Sequence, residues 1–255
     1  MLDSGQDAGV TALGLATDLI LGLTGTAIAA LIGTAWLFVQ RWRARRLWPF
    51  GGERFAVVLA TSTSTHTGTY TRTASGIGQV RSLAVLVPSI YRAWRGKLDV
   101  SNVLLSDDIT DEWTRDLIVV GGVKNNKVTR EMLSKYRDRH ADRGWPDVQQ
   151  VGSAISWNGT EYTAVTDSDV VYRDYGMVLR WANPFHEGCS VILFAGASTY
   201  GTIAASLWYA GQRQPSSQHE SKHLLRKNHF IALVEADVRD GHVALPRLLA
   251  GEPLE

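Results

Sequence analysis

The sequence predicts an α/β fold, a Rossmann-like and mostly parallel sheet with an inserted β-hairpin, preceded by one N-terminal transmembrane helix. The first observation is the uncharged apolar run 19–39, LILGLTGTAIAALIGTAWLFV. The second is a repeated order of short apolar strand, glycine-containing loop and helical segment, which is typical of parallel α/β sheets. The 255 residues have room for one such helix and one domain of about 200 residues with its own core.

The run 19–39 has the length of a membrane span. At about 1.5 Å per residue it extends roughly 30 Å as a helix, the thickness of the hydrocarbon core of a bilayer. Asp3 and Asp7 precede it, and four arginines follow it, at 41, 43, 45 and 46. The positive-inside rule then predicts a single-pass protein whose C-terminal domain is cytoplasmic. The acidic N-terminal flank disfavours a signal peptide.

Small residues recur every four positions in this segment, a pattern that lets helices pack closely in lipid. We expect self-association, with a possible tetramer. A carboxylate one turn before the first small residue favours a polar path between copies, whereas the alternative is an anchor that only dimerises. The residues predicted for the pore or for helix packing are Asp18, Gly22, Gly25, Thr26 and Gly33.

Composition and charge set further limits. The predicted parts are an N-terminal segment with the transmembrane helix (1–40), a basic juxtamembrane linker (41–53) and a ligand-sensing domain (54–255). A net charge of +1 indicates no global attraction to nucleic acid. The single cysteine, Cys189, excludes an internal disulfide, fits a reducing compartment and is predicted to be a core residue.

Three strand–loop–helix units are predicted in the domain. The first has a strand at 55–60 and a helix at 80–95, the second a strand at 117–120 and a helix at 129–139, and the third a strand at 190–195 and a helix at 202–210. A further apolar strand is predicted at 100–105. Two alternating segments, 154–165 and 171–181, carry the turn signal Asn158-Gly159, which indicates the inserted hairpin.

The loops of these units, 61–78, 121–129 and 196–202, are predicted to form a ligand site, because ligands of open α/β sheets bind beyond the carboxyl ends of the strands. Lysines in the second loop add charge for a phosphate, and its two asparagines offer amides for base edges. The alternative is that each glycine pair only makes a tight turn. The predicted ligand-binding residues are Arg72, Gly76, Gly78, Gly121, Gly122, Lys124, Asn125, Asn126, Lys127, Ser198 and Thr199.

Catalytic patterns are weak. The cluster Asp107, Asp108, Asp111 and Glu112 could bind Mg²⁺ or act in acid–base chemistry, but such a run is more often a solvated turn and helix cap. Asp167, Asp169 and Asp174 have even less context, and the pair His219 and His223 has no upstream metal partner. There is no P-loop motif. We therefore expect no catalytic residue, no metal and no cofactor.

The order of a small-residue-rich transmembrane helix, a basic stretch and an α/β domain with glycine-rich loops resembles the membrane effectors of bacterial antiphage systems that signal with nucleotides. The closest resemblance is to the membrane effector of the Hailong system, in which short single-stranded DNA holds an oligomeric, channel-like effector inactive. The resemblance implies a location in the bacterial inner membrane and a ligand made by a partner nucleotidyltransferase.

The function expected from this resemblance is an oligomeric ion channel or membrane-disrupting protein of antiviral defence, gated by a nucleotide or short single-stranded DNA bound to its C-terminal domain. The alternative is a membrane-tethered nucleotide or nucleoside hydrolase. Single-stranded DNA needs cations for phosphates and aromatic faces for bases. Besides the lysines and Arg72, the residues available for these contacts are Arg130, Tyr70, Trp157, Tyr162, Tyr172, Tyr175 and Trp181.

Overall fold

The structure is a computed structural model that describes residues 7–51, 55–67, 70–94 and 97–254. Within these ranges, 7–23, 25, 63–67, 70–72 and 100 are described by their backbone alone. The chain divides into two compact units, residues 1–44 and residues 45–255. Predictions about the side chains of Asp18, Gly22, Gly25 and Arg72 lie outside the described residues.

Five α-helices and fourteen strands occur in the described residues. The helices are α1 (Asp7–Leu47), α2 (Ile77–Ala93), α3 (Lys127–Arg143), α4 (Thr199–Tyr209) and α5 (Gln218–Leu224). The strands are β1 (Phe55–Leu59), β2 (Thr63–Thr67), β3 (Tyr70–Ala74), β4 (Val103–Leu105), β5 (Asp116–Val120), β6 (Val148–Val151), β7 (Ala154–Trp157), β8 (Thr160–Thr163), β9 (Val165–Asp167), β10 (Val170–Ala182), β11 (Ser190–Gly196), β12 (Phe230–Arg239), β13 (His242–Val243) and β14 (Arg247–Pro253).

The main sheet is mixed, so the prediction of a mostly parallel, Rossmann-like sheet is wrong. Its order is β13-β12-β10-β11-β5-β1-β4, with β14 also paired to β12 and β9 to β10. β4, β1, β5 and β11 run parallel to one another. β10 runs antiparallel to both β11 and β12, and β9, β13 and β14 pair antiparallel as well. The apolar runs indicate burial, and burial alone does not set strand direction.

The central strands are buried on both faces, which explains their continuous apolar sequences. On one face, Ala56 and Val58 of β1 join a core with Val128, Met132 and Tyr136 of α3. On the other face, α4 packs on β10, β11 and β12, and α2 packs on α4. The parallel strands thus direct their carboxyl ends, and the helices that follow them, to one edge of the sheet.

A second sheet, β6-β7-β8, is inserted between α3 and β9. β7 and β8 are joined by a two-residue turn in which Asn158 has φ 49° and Gly159 has φ 81°. Both residues are in the left-handed region that this turn requires, which asparagine and glycine adopt readily. Ile155 and Trp157 of this small sheet are buried in the core on the α3 face.

The prediction of a transmembrane helix is also wrong, and with it the predicted location in the inner membrane. No helix in the described part of the chain combines the length and the apolar character needed to cross a bilayer. The described side chains of α1 include the polar residues Thr24, Thr26 and Thr34. Gln40 and Arg41 follow directly after the apolar run 19–39. These polar groups lower the hydropathy of the segment. One of them, Thr34 Oγ1, donates to the Ala30 carbonyl at 2.7 Å, within the same helix.

The residues that end α1 are packed within the second unit. Trp48, the residue after α1, is fully buried and contacts the rings of Phe50, Phe194 and Tyr209. Its Nε1 donates to Ser89 Oγ at 3.2 Å. The large apolar ring of Trp48 therefore lies in the core, and its one polar group has a buried acceptor.

Candidate functional site

The carboxyl ends of β1, β5 and β11 converge with the helix starts that follow them. We call residues 60–62, 75–79, 121–126 and 196–199 the loop cluster. Thr61 N donates to the Asn125 carbonyl at 2.8 Å, and Ser62 N donates to the Ala74 carbonyl at 2.8 Å. The Gln150 side chain links the second and third loops, because it accepts from Val123 N at 3.1 Å and donates to the Gly196 carbonyl at 2.8 Å.

Two of the predicted ligand-binding glycines permit close contacts between these loops. A Cβ at Gly78 would overlap the Thr199 side chain, so the start of α2 lies against the start of α4. Gly121 has φ +118°, and a Cβ there would lie 2.6 Å from Ala60 Cβ. The structure therefore brings the three predicted loops together, and the glycines serve this packing.

The N-terminus of α3 is occupied by its own cap. Asn126 is fully buried, and its Oδ1 accepts from Val128 N at 3.0 Å and from Thr129 N at 3.2 Å. Its Nδ2 donates to the Val120 carbonyl at 3.2 Å. Because Asn126 is fully buried and both of its amide atoms bond within the protein, it does not face solvent to contact a base edge, contrary to the prediction from its position in the loop.

The remaining polar residues of this loop differ in exposure. Lys124 and Asn125 are exposed. Lys127 is half-buried, and its Nζ donates to the Asp107 carbonyl at 2.9 Å. Gly122 packs against the side chain of Gln150. Lys124 is consequently the lysine of this loop that faces solvent and is able to meet an anion.

The N-terminus of α4 is also capped, and beside it lies a buried carboxylate. Ser198 Oγ accepts from Tyr200 N at 3.3 Å. Asp174 is fully buried on β10, where its Oδ2 accepts hydrogen bonds from Ser198 Oγ and Gly201 N and its Oδ1 accepts from Tyr175 N at 2.8 Å. Burial raises the pKa of Asp174, and these hydrogen bonds oppose that rise.

Asp174 is a residue whose role the sequence did not reveal, since it was grouped there with Asp167 and Asp169. A signal was nevertheless present: it is an acidic residue inside a long alternating strand, where an unpaired charge is costly. Asp174 and Ser198 together hold the third loop on the sheet. Thr199 next to them is exposed.

The N-terminus of α2 differs from the other two. Gly76 is its N-cap residue, with φ −72° and ψ 153°, and no described side chain caps it. Ser75 Oγ, in the preceding residue, is buried without a hydrogen-bond partner among the described residues. The side chains of Ser62 and Gln79 lie beside Gly76. Gln79 N already donates to the Gly76 carbonyl at 3.1 Å, so the N–H groups of Ile77 and Gly78 are the ones at the start of this 17-residue helix that are available for an external acceptor.

The predicted aromatic contacts whose side chains are described divide into three groups. Trp157 and Trp181 are in the core. Tyr162 and Tyr175 are half-buried, with ring centroids 5.3 Å apart, and the Tyr175 carbonyl accepts from Ala197 N in the third loop at 2.9 Å. Tyr172 is exposed. The tyrosine pair is thus the aromatic feature next to the loop cluster.

The predicted acidic candidates do not form a metal site. Asp107 and Asp108 are exposed. Glu112 Oε2 accepts from Thr110 N at 3.1 Å, and this hydrogen bond lowers the pKa of Glu112. His219 and His223 line a cleft of about 370 Å³ against β14. Across the described residues, no group of three or more His, Cys, Asp or Glu side chains is arranged to hold a metal ion.

Cys189 lies just before β11 and is half-buried rather than in the core. Its Sγ is 3.5 Å from the Thr114 carbonyl, and burial raises the pKa of its thiol. A thiol with a raised pKa is a poor nucleophile at neutral pH.

No protein-family model matches the sequence, and no curated protein matches it significantly.

Proposed function

We propose that residues 45–255 form a sensor domain that binds a phosphate-bearing ligand, a nucleotide or a short single-stranded DNA, at the N-terminus of α2. The observation that carries the proposal is the uncapped start of α2 inside the loop cluster. Backbone N–H groups and the positive end of a helix dipole make such a position favourable for anions.

The other two helix starts are poorer candidates for the phosphate. The first N–H groups of α3 already donate to Asn126 Oδ1, and those of α4 donate to Ser198 and Asp174. A phosphate at α4 would also lie near the Asp174 carboxylate, which repels it whenever the carboxylate is ionised. These contacts leave α2 as the preferred position.

Neighbouring groups suit the rest of such a ligand. The orphaned Ser75 hydroxyl supplies a donor next to Gly76, and the exposed Lys124 supplies a cation on the second loop. The Tyr162 and Tyr175 pair offers an aromatic face for a base next to the third loop. The proposed arrangement, an N-terminal helix followed by a ligand-binding domain, has the same order as in the family that the sequence resembles.

Replacing Gly76 with Asp tests the phosphate position directly. The new carboxylate would cap the first N–H groups of α2, so we expect the affinity for a fluorescein-labelled, 5′-phosphorylated thymidine tetranucleotide to fall at least about tenfold. The free energy of unfolding should change by less than about 1 kcal/mol, because glycine and aspartate are both good N-caps. Fluorescence anisotropy measures the first quantity and urea unfolding the second.

Gly76→Ala is the matched control, since it adds the same Cβ without the carboxylate and should keep most of the affinity. Mass spectrometry of material released by heating the purified protein identifies which nucleotide or oligonucleotide to use next. Equal affinity of Gly76→Asp and the unmodified protein would remove α2 from the site. If Lys124→Glu lost binding while Gly76→Asp kept it, the phosphate contact would have to lie on the second loop.

We propose further that the domain regulates self-association through α1. The described part of α1 exposes large apolar side chains of a kind that monomeric proteins rarely expose together. The most exposed of them are Ile28, Leu31, Ile32, Trp36, Leu37, Phe38 and Trp42. A second copy of the helix would cover this surface, and ligand binding would then select one arrangement of the assembly.

Gly33→Leu tests this contact. A Cβ at Gly33 has no atom within 4 Å, so the leucine fits within one protomer. It would, however, block close approach of a second helix, and we expect light scattering after size-exclusion chromatography to show a smaller assembly. Gly33→Ala keeps a small side chain and should retain the assembly. An unchanged mass in Gly33→Leu would place the contact elsewhere.

A further inference from the structure

The segment 219–223, His-Glu-Ser-Lys-His, places two histidines four residues apart on α5. Residues at this spacing are neighbours on one face of a helix, with Cβ atoms about 5–6 Å apart. The pattern H-E-x-x-H on a helix is typical of two histidines that share one metal ion. Because α5 extends from Gln218 to Leu224, both histidines lie in regular helix, and the backbone has the geometry that this pairing needs.

The opposite face of α5 fixes the helix on the domain. Ser221 is fully buried, and its Oγ accepts from Trp208 Nε1 at 2.9 Å. Leu224 is also buried and lies against Gly251 of β14. Residues 219 and 223 are each two positions from Ser221, about 200° around the helix, so their side chains are directed away from this buried face. The helix therefore presents both imidazoles from a backbone that is held in place.

His219, Glu220 and His223 line the same cleft, and residues 248–251 of β14 line its other side. All three side chains are exposed, and none of them forms a hydrogen bond or an ion pair with a described residue. Among the described residues that line this cleft there is no lysine or arginine. The nearest charge that a cation meets there is thus the carboxylate of Glu220, which attracts it.

We propose that His219 and His223 bind one divalent transition-metal ion, of which Zn²⁺ is the representative that we would test. Neutral imidazole nitrogen is a preferred ligand of Zn²⁺, and two imidazoles on adjacent turns of one helix reach the same ion. This site lies on α5 and is independent of the anion site proposed at the start of α2.

Water completes the coordination of the ion. Within the described part of the chain, no group of three or more His, Cys, Asp or Glu side chains is arranged around a metal, so Glu220 is not a third ligand. Its carboxylate lies in the same cleft, where it accepts a hydrogen bond from a metal-bound water. Structural zinc sites have four protein ligands, whereas two leave the ion exchangeable. The site therefore responds to the concentration of free metal.

Isothermal titration calorimetry with ZnCl₂ tests the proposal on the untagged, full-length protein, after EDTA treatment and dialysis. We expect one Zn²⁺ ion to bind at this site in each chain. His223→Gln should lower the affinity at least about tenfold, since a single imidazole cannot chelate the ion. His186→Gln removes an exposed histidine outside the cleft and should leave the affinity unchanged.

A variant that combines Gln218→His with His219→Gln separates chelation from the mere presence of histidines. It keeps their number but changes the spacing to five residues, which places the two imidazoles about 140° apart around the helix. Both positions are exposed, so we expect an unchanged free energy of unfolding without metal and the same loss of affinity as in His223→Gln. Affinity equal to that of the unmodified protein would overturn the proposal. So would the absence of Zn²⁺ binding to the unmodified protein, or an equal loss in His186→Gln.

Discussion

Gly201→Ala is expected to destabilise the second unit by about 3 kcal/mol, at the upper end of the range for overpacked sites. A Cβ at Gly201 would overlap the backbone carbonyl of Tyr175, and a Cβ at Gly176 would in turn overlap the Gly201 carbonyl. Both neighbours are backbone atoms, which cannot rotate away as a side chain can. Relief of the overlap must therefore move α4 away from β10.

This movement would also disturb the loop cluster, because Gly201 N donates to Asp174 Oδ2 at the start of α4. Urea unfolding followed by tryptophan fluorescence measures the loss. Gly33→Ala serves as the control, since a Cβ there meets no atom within 4 Å and alanine is favoured over glycine in a helix. A Gly201→Ala protein as stable as the parent would show that α4 does not pack this closely on β10.

Arg180→Leu should have a comparable effect for a different reason. Arg180 is 2% exposed, and its guanidinium donates to the carbonyls of Asn228 at 2.9 Å, Leu225 at 3.3 Å and Leu47 at 3.4 Å. Leucine would remove this donor from three partly exposed carbonyls, at up to about 1–3 kcal/mol for each carbonyl that finds no replacement. We expect a total loss of roughly 3 kcal/mol or more.

Because of its position, Arg180 also holds the end of α1 in place, so its replacement should loosen that segment in addition to lowering the free energy of unfolding. Leu47 is the last residue of α1, and its carbonyl also accepts from Tyr209 Oη, whereas Leu225 follows α5. The variant should consequently be cut faster by protease in the segment 46–50. Arg173→Leu is the control, because Arg173 pairs with Asp237 at the surface and such pairs contribute about 1 kcal/mol or less. Equal stability of the two variants would contradict the role of Arg180.

Much of the candidate site can be located in the sequence. The apolar runs place β1, β5 and β11, and the glycines after them place the loops that converge in the structure. The reason is local: a strand buried on both faces needs a continuous apolar run, and a close turn needs glycine. The Asn158-Gly159 turn is predictable for the same kind of reason.

The sequence did not predict which helix N-termini have backbone N–H groups free to bind a ligand. Asn126 and Ser198 look like ligand contacts in the sequence, yet each caps the helix that follows it. Gly76 has no side chain with which to cap α2, but whether a distant residue does so depends on contacts made only in the folded chain. The role of Asp174 was unpredictable for the same reason, because it depends on a hydrogen bond from Ser198, which is 24 residues away in the chain.

The sequence by itself determined which segments are apolar enough to be buried strands and where the chain must turn, because hydropathy and backbone preference act over a few residues. Only the tertiary structure decided that β10 reverses the sheet, that Trp48 is in the core and that α2 alone among α2, α3 and α4 begins without a described side-chain cap. These outcomes depend on residues far apart in the chain, and hydropathy reports that a side chain leaves water without identifying what covers it.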